Sequence, residues 1–326
     1  MSDAHVCLGD ARLVQELRVL LPETITLEAL PNEGSPSPET TIYVSGRPTR
    51  GQVEACPNLR MLVIPYAGVP EATRLLMLEH PQVAVHNLHH NAAAASEMAM
   101  ALFLAAAKQV VTADRLLRQG DWSIRYSDAG DMQLVGKRGV ILGYGEIGRR
   151  IARACAGLGM TPIGVCRQRR GSHAAEGFEV HPVDRLDALL PSADALFVAL
   201  PLTVETQGMI GFERLSLLPK HSVVVNIARG LVIQEEALYD ALSTGTLSAA
   251  GIDVWYQYPD AEGKTSTFPS AFPFHELGNV VMSPHRGGAY NRPELERARV
   301  DHLARLLNAA ARGEPVPNRV DLEAGY

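Results

Sequence analysis

The apolar residues of this chain fall into short β-branched runs that alternate with stretches of helical spacing. Runs at 6–8, 42–44 and 62–64 predict buried strands, and residues 11–21 have the spacing of an amphipathic helix. The alternation continues in the second half, where further strands are predicted at 140–142, 162–166, around Phe178, and at 195–201, 222–227, 249–254 and 280–285. This order predicts an α/β fold whose second half is a doubly wound parallel sheet.

One helical pattern is unusual in being apolar almost all round. It is alanine-rich and runs from residue 92 to about residue 118, which predicts a single long helix buried on several sides. Such a helix belongs at a domain junction, at a subunit interface or in the core of a monomer, and the pattern leaves these alternatives open.

The composition narrows the class of protein. The 326 residues suffice for two domains, and 46% of them are hydrophobic while 20% are charged, as in globular proteins. A net charge of −6 argues against a nucleic-acid partner. No apolar run approaches the about 18 residues that span a bilayer, and no signal peptide is evident, so we expect no membrane association. The scattered cysteines indicate buried, reduced thiols, which favours a cytoplasmic protein. The four cysteines lack metal-ligand spacing, so no metal site is expected.

The strongest local motif is glycine-rich and lies between a predicted strand and a predicted helix. Residues 140–142 form the strand, and Gly143, Gly145 and Gly148 follow as G-x-G-x-x-G. Gly143 permits a tight turn, Gly145 lets the backbone approach a pyrophosphate, and Gly148 lets the helix pack close to the strand. The N–H groups at the helix start favour the phosphates. The motif predicts a dinucleotide site; a glycine turn without a ligand is the alternative.

The residues that follow the second strand of this half favour NADP over NAD. An acidic residue at this strand end usually accepts the adenosine 2′-hydroxyl, whereas basic residues accommodate a 2′-phosphate. Here Cys166 is followed by Arg167, Arg169 and Arg170, with no carboxylate before Glu176. Guanidiniums suit phosphate contacts, so we predict NADP, with NAD possible and a solvated basic loop as the alternative.

Four further segments of the sequence contain recognisable motifs, and the similarity to a known family that they indicate covers most of the chain. They are LPLTVETQGMIG at 200–211, VNIARG at 225–230, GIDVW at 251–255 and SPHRGG at 283–288. Together with the glycine motif they resemble the D-isomer-specific 2-hydroxyacid dehydrogenases. The resemblance implies two Rossmann-like domains with an active site in the cleft between them, commonly in a homodimer. We accordingly expect a discontinuous substrate domain at 1–95 plus 290–326, into which a dinucleotide-binding domain at 96–289 is inserted.

Two residues of these segments have a physical case as catalytic groups. Arg229 ends a β-branched run, and a planar cation at a strand end can hold a substrate carbonyl or carboxylate oxygen. His285 ends the last predicted strand, and an ordinary histidine pKa of about 6.5 suits it to exchange the hydroxyl proton. A structural ion pair and a structural histidine are the respective alternatives.

The resemblance implies further site residues. Beside the three glycines and three arginines, the cofactor-binding set comprises Glu146, Ile147, Pro201, Thr206, Ala228 and Asp253, with Asp253 near the nicotinamide carboxamide. On the substrate side, Tyr66, Ala67 and Gly68 align with a loop whose backbone N–H groups hold the substrate carboxylate. Asn91 matches a substrate-facing asparagine of the formate-dehydrogenase branch.

The chain departs from the family at one catalytic position. A glutamate that pairs with the histidine normally stands five residues after the aspartate, and Tyr258 occupies that place. A tyrosine can hydrogen-bond the imidazole but supplies no charge at neutral pH, so we expect a low pKa for His285 and assign Tyr258 to the catalytic group. The segment 259–274 is longer than the family usually has and forms either a flap or a surface excursion.

We therefore expect an oxidoreductase that transfers hydride between NAD(P)H and a small or aromatic 2-oxo acid. Two alternatives stay open. One is a specialised family member that acts on a formate-like or phosphonate substrate. The other is a catalytically weak dinucleotide-sensing protein, since the glutamate is missing. The sequence leaves the identity of the 2-oxo acid and the physiological direction undecided.

Overall fold

The computed structural model describes residues 4–30, 34–127, 131–167, 177–260, 265–288 and 292–325. The chain divides into two units. Unit 1 comprises Met1–Asn91 with Tyr290–Tyr326, and unit 2 comprises Ala92–Ala289. The first boundary between the units therefore falls after residue 91. The sequence analysis placed this boundary after residue 95.

Unit 1 contains one five-stranded parallel sheet in the order β2-β1-β3-β4-β5. Its strands are β1 (Ala4–Leu8), β2 (Ile25–Ala29), β3 (Ile42–Val44), β4 (Met61–Ile64) and β5 (Ala84–Asn87). Its helices are α1 (Arg12–Arg18), α2 (Arg50–Glu54), α3 (Glu71–Leu78) and the last helix of the chain, α10 (Pro293–Arg312). Val6 and Leu8 pack on one face and Cys7 on the other, which explains why the strands are apolar at successive positions.

Unit 2 contains a seven-stranded parallel sheet in the order β12-β11-β10-β9-β6-β7-β8. Its strands are β6 (Arg138–Leu142), β7 (Thr161–Cys166), β8 (Glu179–Pro182), β9 (Ala195–Val198), β10 (Val223–Asn226), β11 (Ala249–Ile252) and β12 (Val280–Met282). Its helices are α4 (Ala92–Ala107), α5 (Val110–Leu117), α6 (Glu146–Gly157), α7 (Leu186–Leu189), α8 (Phe212–Leu217) and α9 (Glu235–Ser243). The strand order reverses between β6 and β9, and such a switch point is where open α/β sheets bind ligands. The predicted α/β fold is confirmed.

The predicted single helix from residue 92 to 118 is wrong. It is two helices, α4 and α5, bent by 60°. Gln109 between them has a left-handed backbone with φ of 50°, and the Ala107 carbonyl accepts a hydrogen bond from the N–H of Met132. The end of α4 is thus tied to a later segment of the chain, which no local pattern reveals.

The two helices differ in burial. Helix α4 packs on α6 and on the β10–β12 part of the sheet, whereas α5 has no buried residue. Helix α4 is thus a core helix of unit 2, and a further role at a domain junction or subunit interface stays a prediction. No single described helix is long and apolar enough to cross a membrane; α4 and α5 pass that test only as a bent pair.

Candidate functional site

The glycine turn follows β6 and has the geometry that a dinucleotide requires. Gly143 has φ of 103°, and a Cβ there would lie 2.5 Å from the Ala199 carbonyl oxygen. A Cβ on Gly148 would overlap the Gly143 carbonyl oxygen, so the helix packs tightly here. A Cβ on Gly145, in contrast, would meet nothing within 4 Å. The turn therefore leaves open space beside the one glycine that a pyrophosphate would approach, and the residues fit the group.

Helix α6 begins at this open space. Its N-cap is Gly145, which has no side chain to accept from the first N–H groups, so these depend on a ligand or on solvent. Glu146 in the first turn accepts a hydrogen bond from Arg150 Nη1 at its Oε2 (2.8 Å). Ile147 is partly buried and packs against the cluster that contains Ile151. Their roles in cofactor binding remain predictions.

The basic segment begins where β7 ends. Cys166 is the last residue of the strand, and Arg167 follows with its Nε 3.8 Å from Glu205 Oε2. Arg169 and Arg170 lie outside the described residues. At the end of β7 the described residues thus include one guanidinium, that of Arg167, with the Glu205 carboxylate near it, and the 2′-phosphate contact remains a prediction.

The loop after β9 is closed by a threonine. Thr206 Oγ1 donates to the Pro201 carbonyl (2.7 Å) and accepts from the Thr203 N–H (2.7 Å). The hydroxyl therefore holds the shape of the loop from 201 to 206 at the switch-point side of the sheet. Its predicted contact with the cofactor would have to share this hydroxyl.

Arg229 lies just beyond β10, on a turn that one asparagine organises. Asn226 Oδ1 accepts from the Ala228 N–H and its Nδ2 donates to the Arg229 carbonyl, both at 3.1 Å. Arg229 Nη1 donates to the Ala228 carbonyl (2.6 Å), and its remaining donors have no partner among the described residues. An exposed guanidinium is thereby held at the edge of the sheet with donors to spare for a ligand.

His285 lies beyond β12, two strands away from Arg229 in the sheet. It has a left-handed backbone with φ of 55°, which is unusual for a residue other than glycine. Burial lowers the pKa of the imidazole, the nearby Arg229 guanidinium lowers it further, and the Asp253 carboxylate raises it. Its ring nitrogens have no hydrogen-bond partner in the described part of the chain, so they are available to a substrate.

Asp253 follows β11, between these two residues, and is buried. Its Oδ1 accepts from Ser283 Oγ (2.5 Å) and from the Arg286 N–H (2.8 Å), and its Oδ2 accepts from the Gly287 N–H (2.8 Å). These hydrogen bonds all go to the loop that carries His285. The expected proximity to a nicotinamide carboxamide remains a prediction.

Tyr258 meets the imidazole with its ring. The ring centroids of Tyr258 and His285 lie 5.6 Å apart with the planes tilted by 54°. The Tyr258 hydroxyl accepts from the Trp255 N–H (3.0 Å), and this is its only hydrogen-bond partner among the described residues. The possible hydrogen bond to the imidazole is therefore absent here. Burial raises the pKa of Tyr258, so the hydroxyl is uncharged at neutral pH.

The end of the long segment 259–274 is docked on unit 2. The Pro269 carbonyl accepts from the N–H groups of Tyr256 (3.2 Å) and Gln257 (2.9 Å). Glu235 Oε1 accepts from Ser270 Oγ (2.6 Å) and from the Ala271 N–H (2.9 Å). These contacts favour the surface-excursion interpretation for residues 269–271. Residues 261–264 lie outside the described residues.

In unit 1, the predicted carboxylate-binding loop follows β4. The Ala67 carbonyl accepts from Asn87 Nδ2 (2.7 Å) and the Tyr66 carbonyl accepts from the Leu88 N–H (3.4 Å). With the carbonyls bound on one side, the N–H groups of Ala67 and Gly68 have no partner among the described residues, as a carboxylate site requires. Asn91 Oδ1 is buried and likewise without a hydrogen-bond partner there.

Sequence reasoning missed the residues that support the site. Asn226 shapes the Arg229 turn, Ser283 binds Asp253, and Asn87 holds the Ala67 loop. Asn87 and Asn226 are buried polar residues at the last position of an apolar strand. That signal was present in the sequence, because a buried amide must find hydrogen-bond partners close by.

Fold and site together define a nicotinamide-dependent oxidoreductase. The model of the NAD-binding domain of D-isomer specific 2-hydroxyacid dehydrogenases matches residues 100–287. The chain belongs to this family, as the sequence motifs predicted. It is an NAD(P)-dependent enzyme that acts on a CH–OH group, its cofactor is a nicotinamide dinucleotide, and its substrate is a small molecule.

Individual relatives agree with this assignment. The chain is 34% identical to a glyoxylate reductase of Korarchaeum cryptofilum over 83% of this chain and 78% of the relative. It is 31% identical to glyoxylate/hydroxypyruvate reductase B of Pectobacterium atrosepticum over 91% and 93% of the two chains. A D-isomer specific 2-hydroxyacid dehydrogenase from Xanthobacter autotrophicus, solved with NADPH and MES, superposes with a TM-score of 0.80 at 25% identity over both whole chains.

Proposed function

We propose that this protein is an NADPH-dependent reductase of a small or aromatic 2-oxo acid. The observation that carries the proposal is the arrangement at the carboxyl edge of unit 2. Arg229 follows β10 and His285 follows β12, on either side of β11. Each has donors or acceptors that no other described residue uses. The names of the two relatives, a glyoxylate and a glyoxylate/hydroxypyruvate reductase, support the substrate class.

Arg229 and His285 have different roles in such a reduction. The Arg229 guanidinium binds the carbonyl oxygen and stabilises the negative charge that develops on it. His285 in its protonated form donates a proton to that oxygen, and in the reverse direction the neutral ring accepts the hydroxyl proton. A bound reduced nicotinamide supplies the hydride for the carbonyl carbon. The backbone N–H groups of Ala67 and Gly68 are proposed to bind the substrate carboxylate.

The test is NADPH oxidation with a panel of glyoxylate, hydroxypyruvate, pyruvate and phenylpyruvate. Turnover of at least one of these acids supports the reductase. Turnover only of formate or a phosphonate would favour the specialised alternative. Tight NADPH binding without turnover of any acid would favour a dinucleotide sensor.

The pH dependence of reduction follows from the environment of His285. Because burial and Arg229 lower its pKa below the ordinary 6.5, the protonated ring disappears at lower pH than in a free histidine. Reduction needs that proton, so its rate should fall as pH rises through a value below 6.5, whereas oxidation should rise over the same range. Profiles of kcat/KM in both directions measure this. An apparent pKa of about 8 or higher for reduction would contradict it.

Restoring the carboxylate at position 258 should move that profile. In Tyr258→Glu a negative charge replaces the ring beside His285, and an opposite charge within reach raises a histidine pKa by about one unit or more. The decline of reduction should therefore shift to higher pH. Tyr258→Gln, which adds no charge, is the matched control and should leave the position of the profile unchanged.

The cofactor preference is tested at Arg167. If its guanidinium contacts the 2′-phosphate, Arg167→Ala should weaken NADPH binding about tenfold and leave NADH binding within about threefold. Lys220→Ala removes a positive charge at the opposite edge of the same sheet and should change neither affinity. A wild-type preference for NADH in the same titrations would overturn the assignment.

We also propose a homodimer formed through unit 2. Helix α5 has no buried residue, and Val110, Leu117, Trp122 and Tyr126 on it or just beyond it are exposed. Next to α5 a cavity of about 670 Å³ opens at the amino edge of the sheet. In a two-fold contact, the segment with Trp122 and Tyr126 of each copy would cover the cavity of the other copy. An isologous interface permits this arrangement.

Sedimentation of a double variant tests the dimer. Leu117→Asp with Trp122→Ser should convert the dimer to a monomer, because a charge then enters the apolar contact. Val19→Asp, at an exposed apolar position of unit 1, should leave the assembly unchanged. A wild-type monomer at all concentrations would contradict the proposal.

A further inference from the structure

The carboxylate that acts on His285 does not come from the position that the family uses. Tyr258 stands there, and its hydroxyl is engaged by the Trp255 N–H. The charged or titratable groups that influence the imidazole are Arg229 and Asp253, with the Tyr258 ring against it. Asp253 is thus the carboxylate that acts on His285 in the described part of the chain.

Asp253 acts on the loop rather than on the ring. Both of its carboxylate oxygens are used, by one hydroxyl and two backbone N–H groups of residues 283–287. Charge-assisted hydrogen bonds of this kind are stronger than neutral ones, and three of them compensate the burial of the carboxylate. They clamp the loop on both sides of His285, at Ser283 before it and at Arg286 and Gly287 after it.

The clamp explains how an unfavourable backbone persists at His285. A left-handed conformation at a residue with a side chain costs about 1–2 kcal/mol, and it persists only where neighbouring contacts hold it. Here Asp253 holds positions 283, 286 and 287, and Trp255 Nε1 donates to the Ser283 carbonyl (2.8 Å) as a second anchor. A Cβ on Gly287 would lie 2.8 Å from Asp253 Oδ2, so a side chain there would displace the carboxylate from the loop.

We propose that Asp253 is a positioning residue that fixes the loop and backbone of His285 without contacting its ring. The inference rests on the proposed function of His285 as the proton donor. It differs from the cofactor contact that the family resemblance implies for Asp253, because a positioning role predicts loss of kcat without loss of dinucleotide affinity.

Two variants test the clamp in the full-length protein. Asp253→Asn removes the charge and turns an amide N–H towards a backbone N–H, so kcat for reduction should fall about a hundredfold, with the Kd for NADPH within about threefold of wild type. Ser283→Ala keeps the charge and removes one hydrogen bond, so kcat should fall about tenfold. Asp301→Asn, at an exposed carboxylate on α10, is the matched control and should not change kcat.

A readout independent of turnover separates this proposal from the proposed function. The imidazole of His285 is followed by NMR in histidine-labelled protein and assigned by its loss in His285→Asn. In Asp253→Asn its titration midpoint should move to lower pH, because the Arg229 charge is no longer opposed, whereas in Ser283→Ala the midpoint should stay. If wild type reduces no 2-oxo acid, the proposed function fails while these titrations still test the clamp.

The clamp is overturned if Asp253→Asn leaves both the His285 titration and kcat unchanged. It is also overturned if that variant keeps kcat at saturating cofactor but binds NADPH more than about tenfold more weakly, since Asp253 would then be a cofactor contact. Should Asp253→Asn fail to fold by circular dichroism, Ser283→Ala decides: an unchanged kcat refutes the clamp.

Discussion

Replacing Arg229 by alanine should lower kcat/KM for 2-oxo acid reduction about a thousandfold, or about 4 kcal/mol of transition-state stabilisation. The guanidinium is held by its hydrogen bond to the Ala228 carbonyl, and its other donors have no partner among the described residues, so they are available to a ligand. Its charge is matched to the oxygen on which negative charge develops. The loss should therefore appear in kcat as well as in KM.

Arg229→Lys is the matched variant for that result. It keeps the positive charge but loses the planar fork, so part of the activity, about a tenth to a hundredth of wild type, should return. The Kd for NADPH should stay within about threefold in both variants. If Arg229→Ala changes KM alone and leaves kcat intact, the residue binds substrate and transition state equally and does not stabilise the developing charge.

Replacing His285 by asparagine should lower kcat for reduction by about 10²–10⁴. Asparagine is the cleanest replacement because it tolerates the left-handed backbone at this position better than alanine or glutamine. The variant therefore removes the proton donor without refolding the loop that Asp253 holds. Steady-state kinetics with the best acid of the panel, together with an NADPH titration, measure the effect.

The control for His285→Asn is its pH profile. Without the imidazole, the residual rate should no longer decline through the low pKa expected of wild type. His275→Asn, at an exposed histidine whose ring stacks on Phe268, should leave both rate and profile unchanged. A residual rate with an intact pH profile would show that another group titrates, and His285 would not be the proton donor.

Local signals sufficed for much of the fold and for the reactive groups. Successive apolar positions in runs such as 140–142 identify strands buried on both faces, and glycines at 143, 145 and 148 identify the turn. Arg229 and His285 were recognisable because each lies within three residues of the end of an apolar run and in a motif that resembles the family. In a parallel sheet every such position lies at the same edge, so spacing along the chain translates into proximity in space.

The break between α4 and α5 needed the tertiary structure. Most residues of 92–118 are helix formers, although 110–112 are β-branched, and α4 ends where the Met132 N–H binds the Ala107 carbonyl and Gln109 has a left-handed backbone. The two residues of that hydrogen bond, Ala107 and Met132, lie far apart in the chain. Helix propensity sums over neighbours in sequence and contains no information about such a competitor.

The partner of His285 was likewise beyond local reasoning. The spacing from Asp253 showed that Tyr258, and not an acid, occupies the position from which the family's glutamate pairs with the histidine. Only the folded sheet, in which β11 lies beside β12, brings the Asp253 carboxylate under the loop of residues 283–287 and gives His285 its left-handed backbone. The sequence by itself thus identifies the chemical groups of the site. Strand order in the folded sheet decides which of these groups are in contact, because hydrogen bonds form between neighbours in space.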